Sequence, residues 1–386
     1  MIYLDNNATT RMYQSVYHKH CEMLNRFFCN PSSIYPAGIE AKTMIEKART
    51  QVASLINADL ATGDSILFTS CATESNNSVL HSAMHSERRG KHIIISAVEH
   101  PAISVTANHY EECGGKVSRI GVDSNGNLRL DELRSAITDE TVLVSIMYVN
   151  SETGVIHDIP SIVQIVKDIR KSIIVHTDAV QAAGKIPIDV QELGVDMLTL
   201  SGHKFHAPKG VGVLYVRKGI PFVPFMLGGH QEHNLRAGTE NTASIVALGE
   251  AAAITQAEMD SGSVEKIKYL KELMENELKK NFPDSMIFGE KASRICNTTN
   301  IGFRNISGHK LVLQLAQRGI YVSSGTACNA VSVKPSSVLT AMKVPDEYIS
   351  SIRISLDSFN TEKDVLDLLV ALEDILGRRK FNGDNN

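Results

Sequence analysis

The sequence has no tryptophan, and aromatic residues make up only 5% of its 386 residues. This scarcity argues against a large aromatic platform for stacking sugars or bases. Neither charge dominates, since 39 lysines and arginines face 43 aspartates and glutamates, for a formal net charge of -4. Proteins that bind the phosphate backbone are normally basic. We therefore expect no direct contact with nucleic acid.

Long hydrophobic runs are also missing. Purely apolar stretches such as residues 93–95 and 142–144 are far shorter than the roughly 20 residues of a membrane span. The N-terminal segment carries Asp5 and Arg11 where a signal peptide would need an unbroken apolar core. We expect a cytoplasmic protein that makes no membrane contact.

The six cysteines form no C-x-x-C pair. This spacing excludes a zinc-ribbon pattern, so we expect no metal site, and it disfavours a disulfide framework. Most of these thiols are expected to be small buried side chains in a reducing compartment. One of them could be reactive, and composition does not say which among Cys21, Cys29, Cys71, Cys113, Cys296 and Cys328.

Short β-branched runs alternate with amphipathic segments along most of the chain. The amphipathic segments include residues 38–56 and 159–169, which are predicted to be helices. This alternation predicts an α/β fold with a mainly parallel sheet covered by helices on both faces, and ligands beyond the carboxyl ends of its strands. The predicted strands are 92–96, 141–149, 172–180, 196–202 and 211–216.

The pattern changes after about residue 255. A long charged helix is predicted over 261–282, followed by short strands and a last helix over 361–377. We therefore predict a large α/β domain over residues 15–255 and a smaller α+β domain over 256–386. Residues 1–14 are assigned to the smaller domain, although the pattern alone would allow either.

A lysine follows one of the predicted strands directly. In DMLTLSGHKFHAPKG, Ser201, His203 and Lys204 come where the strand ends, which is where α/β proteins place their ligands. A lysine that is partly desolvated has a lowered pKa and can form a Schiff base. The alternative is an ordinary solvated lysine in a β-turn.

Another predicted strand ends in an acidic residue. Asp178 closes the apolar run SIIVHTD, and an unpaired carboxylate there would cost free energy. A protonated pyridine nitrogen would be a suitable partner, as in pyridoxal phosphate enzymes, and Gln181 could bond another ring substituent. Alternatively, Asp178 caps the next helix and Gln181 lies on its surface.

Two further strand ends carry polar groups. In ILFTSCATESNN a helix is predicted to begin near Thr73, so the Ala72 amide and the Thr73 hydroxyl could bind a phosphate. Simple N-capping by Thr73 is the alternative. His100, in SAVEHPAI, could stack on a planar cofactor, although a histidine that serves only its own loop is commoner.

One cysteine lies among small residues. Cys328, in SSGTACNAV, has flanking side chains too small to bury it firmly. An exposed thiol on a mobile loop suits a residue that must reach first a substrate and then an acceptor. The alternative, an inert buried thiol, fits the other five cysteines better.

Together these segments resemble the NifS/IscS-type cysteine desulfurases, which are pyridoxal phosphate enzymes of the aspartate aminotransferase fold (fold type I). The resemblance extends from YLDNNATT at residue 3 to the region near residue 365. The SSG-x-AC segment is similar to the branch with a longer, mobile cysteine loop. The motifs that carry the resemblance are ATESNN (72–77), EHPAI (99–103), HTDAVQ (176–181), SGHKFHAPKG (201–210), GGHQEHNLRAGTEN (228–241) and SSGTACNA (323–330).

The resemblance implies how the cofactor, pyridoxal 5'-phosphate, would be held. Lys204 would bind it covalently, and Asp178 would pair with the ring nitrogen. Gln181 would pair with the ring hydroxyl oxygen, and His100 would stack on the ring at the catalytic centre. The phosphate would be bound by Ala72, Thr73, Ser201 and His203.

The resemblance also implies a homodimer with shared active sites, because Thr239 of the RAGTEN motif would reach the phosphate of the neighbouring subunit. Arg353, in RISL, would bind the substrate carboxylate through two parallel bonds. Cys328 would take sulfur from L-cysteine as a persulfide, leave L-alanine and pass the sulfur to an acceptor protein. Ser151 stands where the family usually has an asparagine at the substrate, so this contact is expected to differ.

Other departures from the family pattern are Cys71 in place of a glycine and Tyr35 where histidine is common. Another fold type I enzyme, such as a selenocysteine lyase or a small amino-acid aminotransferase, would need no loop cysteine and is an alternative. A scaffolding subunit of a sulfur-transfer complex is a further one. The acceptor pathway stays open among iron–sulfur cluster assembly, tRNA thiolation and sulfur modification of DNA.

Overall fold

The computed structural model describes residues 1–85, 90–324 and 336–377. Cys328, the predicted nucleophile, therefore lies outside the described residues. None of the described helices is long and apolar enough to cross a membrane. The cysteines within the described ranges all carry free thiols, namely Cys21, Cys29, Cys71, Cys113 and Cys296.

Strands and helices alternate along the described chain. The strands are β1 (Ile2–Tyr3), β2 (Ser65–Thr69), β3 (His92–Ser96), β4 (Lys116–Ile120), β5 (Thr141–Ser145), β6 (Ile174–Asp178), β7 (Met197–Ser201), β8 (Gly212–Val216), β9 (Ser285–Ile287), β10 (Thr298–Phe303), β11 (Ile320–Tyr321), β12 (Ser323–Ser324) and β13 (Ser351–Ser355). The helices are α1 (Gln14–Arg26), α2 (Pro36–Leu55), α3 (Ala72–His85), α4 (Pro101–Glu112), α5 (Leu130–Ala136), α6 (Ile159–Ile169), α7 (Val190–Leu193), α8 (Thr242–Asp260), α9 (Ser263–Asn281), α10 (Gly308–Gln317), α11 (Ser337–Ala341) and α12 (Glu362–Leu376).

The central sheet has the strand order β2-β8-β7-β6-β5-β3-β4 in the described residues. β8 runs antiparallel to both of its neighbours, and every other neighbouring pair in this sheet is parallel. The expectation of a mainly parallel sheet is confirmed. Because β2, β3, β5, β6 and β7 all run in one direction, their carboxyl ends meet at a single edge.

Burial on both faces explains why the centre of β3 consists of three consecutive isoleucines. Ile94 packs into a core with α2, α6 and α8, whereas its neighbours Ile93 and Ile95 pack against α3 and α4 on the opposite face. Successive side chains of a strand point to opposite faces, so a doubly covered strand has no polar side. Each such isoleucine contributes about 1.5–3 kcal/mol through burial.

A second, antiparallel sheet has the order β12-β13-β10-β9 and packs with α9, α10 and α12 around its own apolar core. β1 pairs with β11 in parallel, and Asp5 forms a bridge with Ser355. The N-terminal residues therefore pass from this sheet towards the carboxyl edge of the central sheet. The predicted domain limit near residue 255 lies within α8, and the division into domains stays a prediction.

Candidate active site

A cavity of about 400 Å³ lies at the carboxyl edge of the central sheet. Its wall is built by the segments that follow β2, β3, β5, β6 and β7, together with the N-terminal segment and β13. Thr239 does not line it within the described chain. Ten residues that the sequence singled out do: Ala72, Thr73, His100, Ser151, Asp178, Gln181, Ser201, His203, Lys204 and Arg353.

Lys204 ends a short 3₁₀ turn that follows β7 directly. Its Nζ donates to the carbonyl oxygens of Asn7 at 2.6 Å and Ala8 at 2.9 Å. Burial lowers the pKa of Lys204 to about 7, and the nearby charges of Lys185 and Arg353 act in the same direction. The amine can therefore reach its neutral, nucleophilic form near neutral pH.

Asp178 ends β6 and is only 6% exposed. Its Oδ1 accepts from the backbone N–H of Val180 at 3.0 Å, and its Oδ2 accepts from Nδ2 of Asn76 at 2.7 Å. Asn76 lies on α3 and is fully buried. Both oxygens are thus held in fixed directions, so the carboxylate is ready to receive a cationic donor from the cavity.

The first turn of α3 meets the segment after β7 at one end of the cavity. Gly212 of β8, which pairs with Ser201 of β7, lets the start of α3 come close to β8, because a Cβ at that position would lie 2.5 Å from the Cys71 carbonyl carbon and 2.9 Å from the Ala72 nitrogen. His203 contacts the Thr9 hydroxyl through Nδ1 at 3.2 Å. Burial, followed by the charge of Lys204, lowers the pKa of His203 to about 4, so its ring is neutral at pH 7.

His100 is the N-cap of α4, and its Nδ1 accepts the backbone N–H of Ala102 at 3.1 Å. This bond fixes the ring and leaves the proton of the neutral ring on Nε2. Burial lowers the pKa of His100. Glu99, next to it, is a buried carboxyl that accepts from the Ser96 hydroxyl and the Met147 amide, and burial raises its pKa to about 8.

Arg353 reaches the cavity from β13 of the second sheet. Its guanidinium forms an ion pair with Asp5 at 2.8 Å and donates to the backbone oxygen of Ser151 at 3.1 Å. Its Nε is buried and has no hydrogen-bond partner within the described residues. These contacts hold the guanidinium in place while leaving it bonding capacity for a ligand.

Several residues of the site had no individual signal in the sequence. Asn7 and Asn76 stood inside recognised motifs, but nothing local distinguished them from neighbouring polar residues. Lys185 is buried and lies close enough to Lys204 to affect its pKa. Only the fold brings Asn7 and Asn76 to the cavity and Lys185 close to Lys204.

The comparison with family models gives one match, described as Aminotransferase class-V, over residues 2–368. The chain belongs to this family. Among curated members, cysteine desulfurase 2 of Trichormus variabilis is 43% identical over 379 residues, which are 98% of this chain and 94% of the relative. The cysteine desulfurase NifS of Azotobacter vinelandii is 40% identical over 365 residues, or 94% of this chain and 90% of the relative. The resemblance to NifS/IscS-type proteins is confirmed.

Two solved structures show the same architecture. A NifS-like protein matches with a TM-score of 0.90 and 38% sequence identity, covering 97% of this chain and 99% of its own. SspA in complex with cysteine matches with a TM-score of 0.80 and 30% identity, covering 94% of this chain and 100% of its own. The predicted aspartate aminotransferase-like fold is confirmed.

Class-V aminotransferases use pyridoxal phosphate, and the cavity of this member fits that cofactor. Oε1 of Gln181 and Oδ1 of Asn76 are buried and have no hydrogen-bond partner within the described ranges. Both residues line the cavity, and buried polar atoms of this kind are normally satisfied by a ligand or water. The Asp178 carboxylate, with its two fixed oxygens, suits the ring nitrogen of the cofactor. The Lys204 amine, with its lowered pKa, suits the cofactor's aldehyde.

Replacing Asn76 by leucine is expected to weaken cofactor binding about tenfold to 100-fold, because a hydrogen bond to a charged group contributes about 1.5–3 kcal/mol. The leucine removes the only side-chain donor to Asp178 that the described residues supply. Titration of the apoenzyme with pyridoxal phosphate measures the effect.

A matched control is Ser82→Ala on the same helix. The Ser82 hydroxyl is equally buried and accepts the backbone N–H of Val223 at 2.9 Å, and Ser82 does not line the cavity. Cofactor affinity in this variant should be unchanged. Equal losses in the two variants would contradict a specific role for Asn76.

Proposed function

We propose that this class-V aminotransferase is a cysteine desulfurase that converts L-cysteine to L-alanine and leaves the sulfur on Cys328 as a persulfide. The observation that carries the proposal is that Lys204, Asp178 and Arg353, from three distant segments, line one cavity. Curated relatives over nearly the full chain are cysteine desulfurases, and SspA was solved with cysteine.

The ring end of the cavity would hold the cofactor through four side chains. Lys204 attaches it covalently, Asp178 pairs with the ring nitrogen, Gln181 bonds the ring oxygen and His100 stacks on the ring. Bound pyridoxal phosphate supplies an electron sink for the negative charge that develops at the substrate Cα. The fixed Asp178 carboxylate keeps the ring nitrogen protonated, which is the state in which the ring withdraws electrons best.

The phosphate end combines a helix N-terminus with polar side chains. The Ala72 amide and the Thr73 hydroxyl lie in the first turn of α3, where the helix dipole favours an anion. Ser201, the last residue of β7, and the neutral His203, in the turn that follows, also line the cavity and would donate further hydrogen bonds.

Lys204 is also the group that moves the proton. When the Lys204 amine is free and neutral, it would accept the proton from the substrate Cα. A pKa near 7 suits this role, because the amine is then neutral in a large fraction of molecules. The carbonyl oxygens of Asn7 and Ala8 keep Nζ at the base of the cavity.

Arg353 would bind the substrate carboxylate. Asp5 and the Ser151 carbonyl hold the guanidinium in place before substrate arrives, so little side-chain entropy is lost on binding. Ser151 itself presents a hydroxyl where the family usually has an asparagine side chain, and its contact with substrate would be shorter or water-mediated.

In the sulfur step, the Cys328 thiolate attacks the sulfur of the bound substrate. The new S–S bond forms as the Cβ–S bond breaks, and the electron pair of that bond stays on Cβ. Protonation of this carbon gives the methyl group of alanine. The persulfide then passes to an acceptor protein in iron–sulfur cluster assembly, tRNA thiolation or DNA sulfur modification.

The working unit would be a homodimer. Thr239 is exposed and does not line the cavity of its own chain, which supports a role at the phosphate of a second copy.

The proposal predicts that L-cysteine alone suffices as substrate. Incubation of the holoenzyme with L-cysteine and a thiol reductant, with no keto acid, should yield alanine and sulfide in equal amounts. Quantifying both products over many turnovers tests this. An absolute need for a keto acid would identify an aminotransferase instead.

A further inference from the structure

Residues 228–241, GGHQEHNLRAGTEN, form a segment that we call the arm. It carries Thr239, whose side chain is exposed. The residues just before the arm are also exposed although they are apolar, with Phe225 at 46% and Leu227 at 84%. An apolar surface beside an outward-facing polar residue suits a protein partner, and a second copy of this chain supplies one under the proposed function.

The first anchor of the arm is a buried ion pair. Arg49 of α2 bonds Glu232 through two parallel contacts, at 2.8 and 3.0 Å, and both side chains are less than a tenth exposed. Glu232 also accepts the backbone N–H of Phe68 at 2.9 Å. Since Phe68 belongs to β2, this anchor joins the arm to the strand that precedes Ala72 and Thr73, which are proposed to bind the cofactor phosphate in the same chain.

The backbone at this anchor is strained. Glu232, His233 and Asn234 have φ values of 44°, 56° and 66°, and three successive non-glycine residues in the left-handed region are rare. Such a conformation persists only where the surroundings enforce it. The two contacts of Arg49 and the Phe68 amide provide that enforcement at Glu232.

The second anchor lies nearer to Thr239. Arg236 bonds Glu74 through Nε at 2.8 Å and through its terminal nitrogen at 3.1 Å. Glu74 lies in the first turn of α3, and its carboxylate also accepts the backbone N–H of Ser70 at 2.7 Å. This anchor therefore joins the arm to the helix whose N-terminus holds the phosphate.

We propose that the Arg49–Glu232 and Glu74–Arg236 ion pairs are positioning contacts that act across the dimer. Each pair ties the arm to a strand or helix beside the phosphate site of its own chain. The two pairs together thereby fix where Thr239 lies for the second copy. The proposal rests on the homodimer of the proposed function. Arg49 and Arg236 touch neither substrate nor cofactor of their own chain's cavity.

The proposal predicts in which subunit of the dimer a defect should be observed. The arm of one subunit completes the site of the other, so a defect in an anchor should weaken the partner's site more than its own. Mixed dimers test this. They are assembled from differently tagged subunits, with Lys204→Ala marking the subunit that cannot bind cofactor covalently.

Two mixed dimers are compared, both containing Lys204→Ala and Arg236→Met. With the substitutions on separate subunits, the intact lysine receives a normal arm. With both on one subunit, the intact lysine receives the altered arm. The readout is the covalent adduct at Lys204, trapped by borohydride reduction and counted by mass spectrometry against cofactor concentration.

We expect half-maximal labelling to need about tenfold more cofactor in the dimer with both substitutions on one subunit, because a hydrogen bond to the phosphate is misplaced. Labelling of the other dimer should match that of a Lys204→Ala/wild-type dimer. An equal or larger loss when the substitutions are on separate subunits would overturn the proposal. The same comparison with Arg49→Met tests the first anchor.

Thr239→Ala in the same two arrangements separates this inference from the proposed dimer. If Thr239→Ala acts across the dimer and Arg236→Met acts within its own subunit, only the inference is wrong. If Thr239→Ala shows no effect across the dimer, the shared site itself is wrong.

Arg294→Met is the matched control for loss of a buried bidentate pair. Arg294 bonds Glu275 at 2.8 and 2.9 Å, and both side chains are about a tenth exposed or less. It should lower thermal stability without changing cofactor labelling in the partner. A loss in the partner as large as that from Arg236→Met would overturn the proposal.

Discussion

Cys328→Ala is expected to lower alanine and sulfide formation from L-cysteine by roughly 10³-fold or more, the scale seen when a nucleophile that acts within a catalytic unit is removed. The substitution deletes the thiolate proposed to accept the sulfur and leaves Lys204, Asp178 and the other cavity residues unchanged. The visible absorption of the bound cofactor should therefore be unchanged. Product assays and an absorption spectrum of the same sample measure both.

The chain offers two matched cysteine controls. Cys113 is exposed and does not line the cavity, so Cys113→Ser should turn over normally. Cys71 lines the cavity, so Cys71→Ala tests whether a thiol beside the phosphate turn is the acceptor instead. Full activity in Cys328→Ala, or loss of activity in Cys71→Ala alone, would contradict the role proposed for Cys328.

Lys204→Ala is expected to abolish covalent attachment of the cofactor and to lower turnover by at least roughly 10³-fold, within the range for loss of a group that transfers a proton. In the proposed function the same amine attaches the cofactor and takes the substrate proton, so both functions should end together. The measurement is the borohydride-trapped adduct, with turnover assayed alongside.

Lys271→Met provides the comparison for removal of a buried lysine. Lys271 is 7% exposed, donates to the Ile295 carbonyl at 2.8 Å, and does not line the cavity. It should lose stability but keep the adduct. A reducible adduct in Lys204→Ala would show that another amine, with Lys185 the nearest candidate, holds the cofactor.

The strands of the central sheet could be predicted from the sequence because both of their faces are buried. Runs such as residues 92–96 and 196–202 are short and have apolar residues at their centres, and they contain β3 and β7. Amphipathic spacing predicted α6 with its observed limits, Ile159–Ile169. These signals are local, because the spacing of apolar residues over a short stretch of sequence reflects which faces of a strand or helix are buried.

Reasoning from the residues alone, without the family resemblance, could place a site residue only where it lay at or just after the end of a strand. Lys204, Asp178 and His100 could be assigned to one edge because parallel strands share their carboxyl ends. Asn76 could not, because its contact with Asp178 spans 102 residues of sequence. The residues next to Asn76 in the sequence do not distinguish an amide on the helix surface from one that donates to Asp178.

The sequence by itself determined the fold class, the order of the motifs and the residue types of the chemistry, because periodicity and strand-end position are short-range properties. Tertiary structure alone decided which groups hold those residues. It brings the Asp5 carboxylate to the Arg353 guanidinium and the Asn7 carbonyl oxygen to the Lys204 amine. It also brings Glu232 to Phe68 of β2 and Arg236 to Glu74 of α3. Each of these contacts joins segments far apart in the chain, so only the tertiary fold brings them within hydrogen-bonding distance.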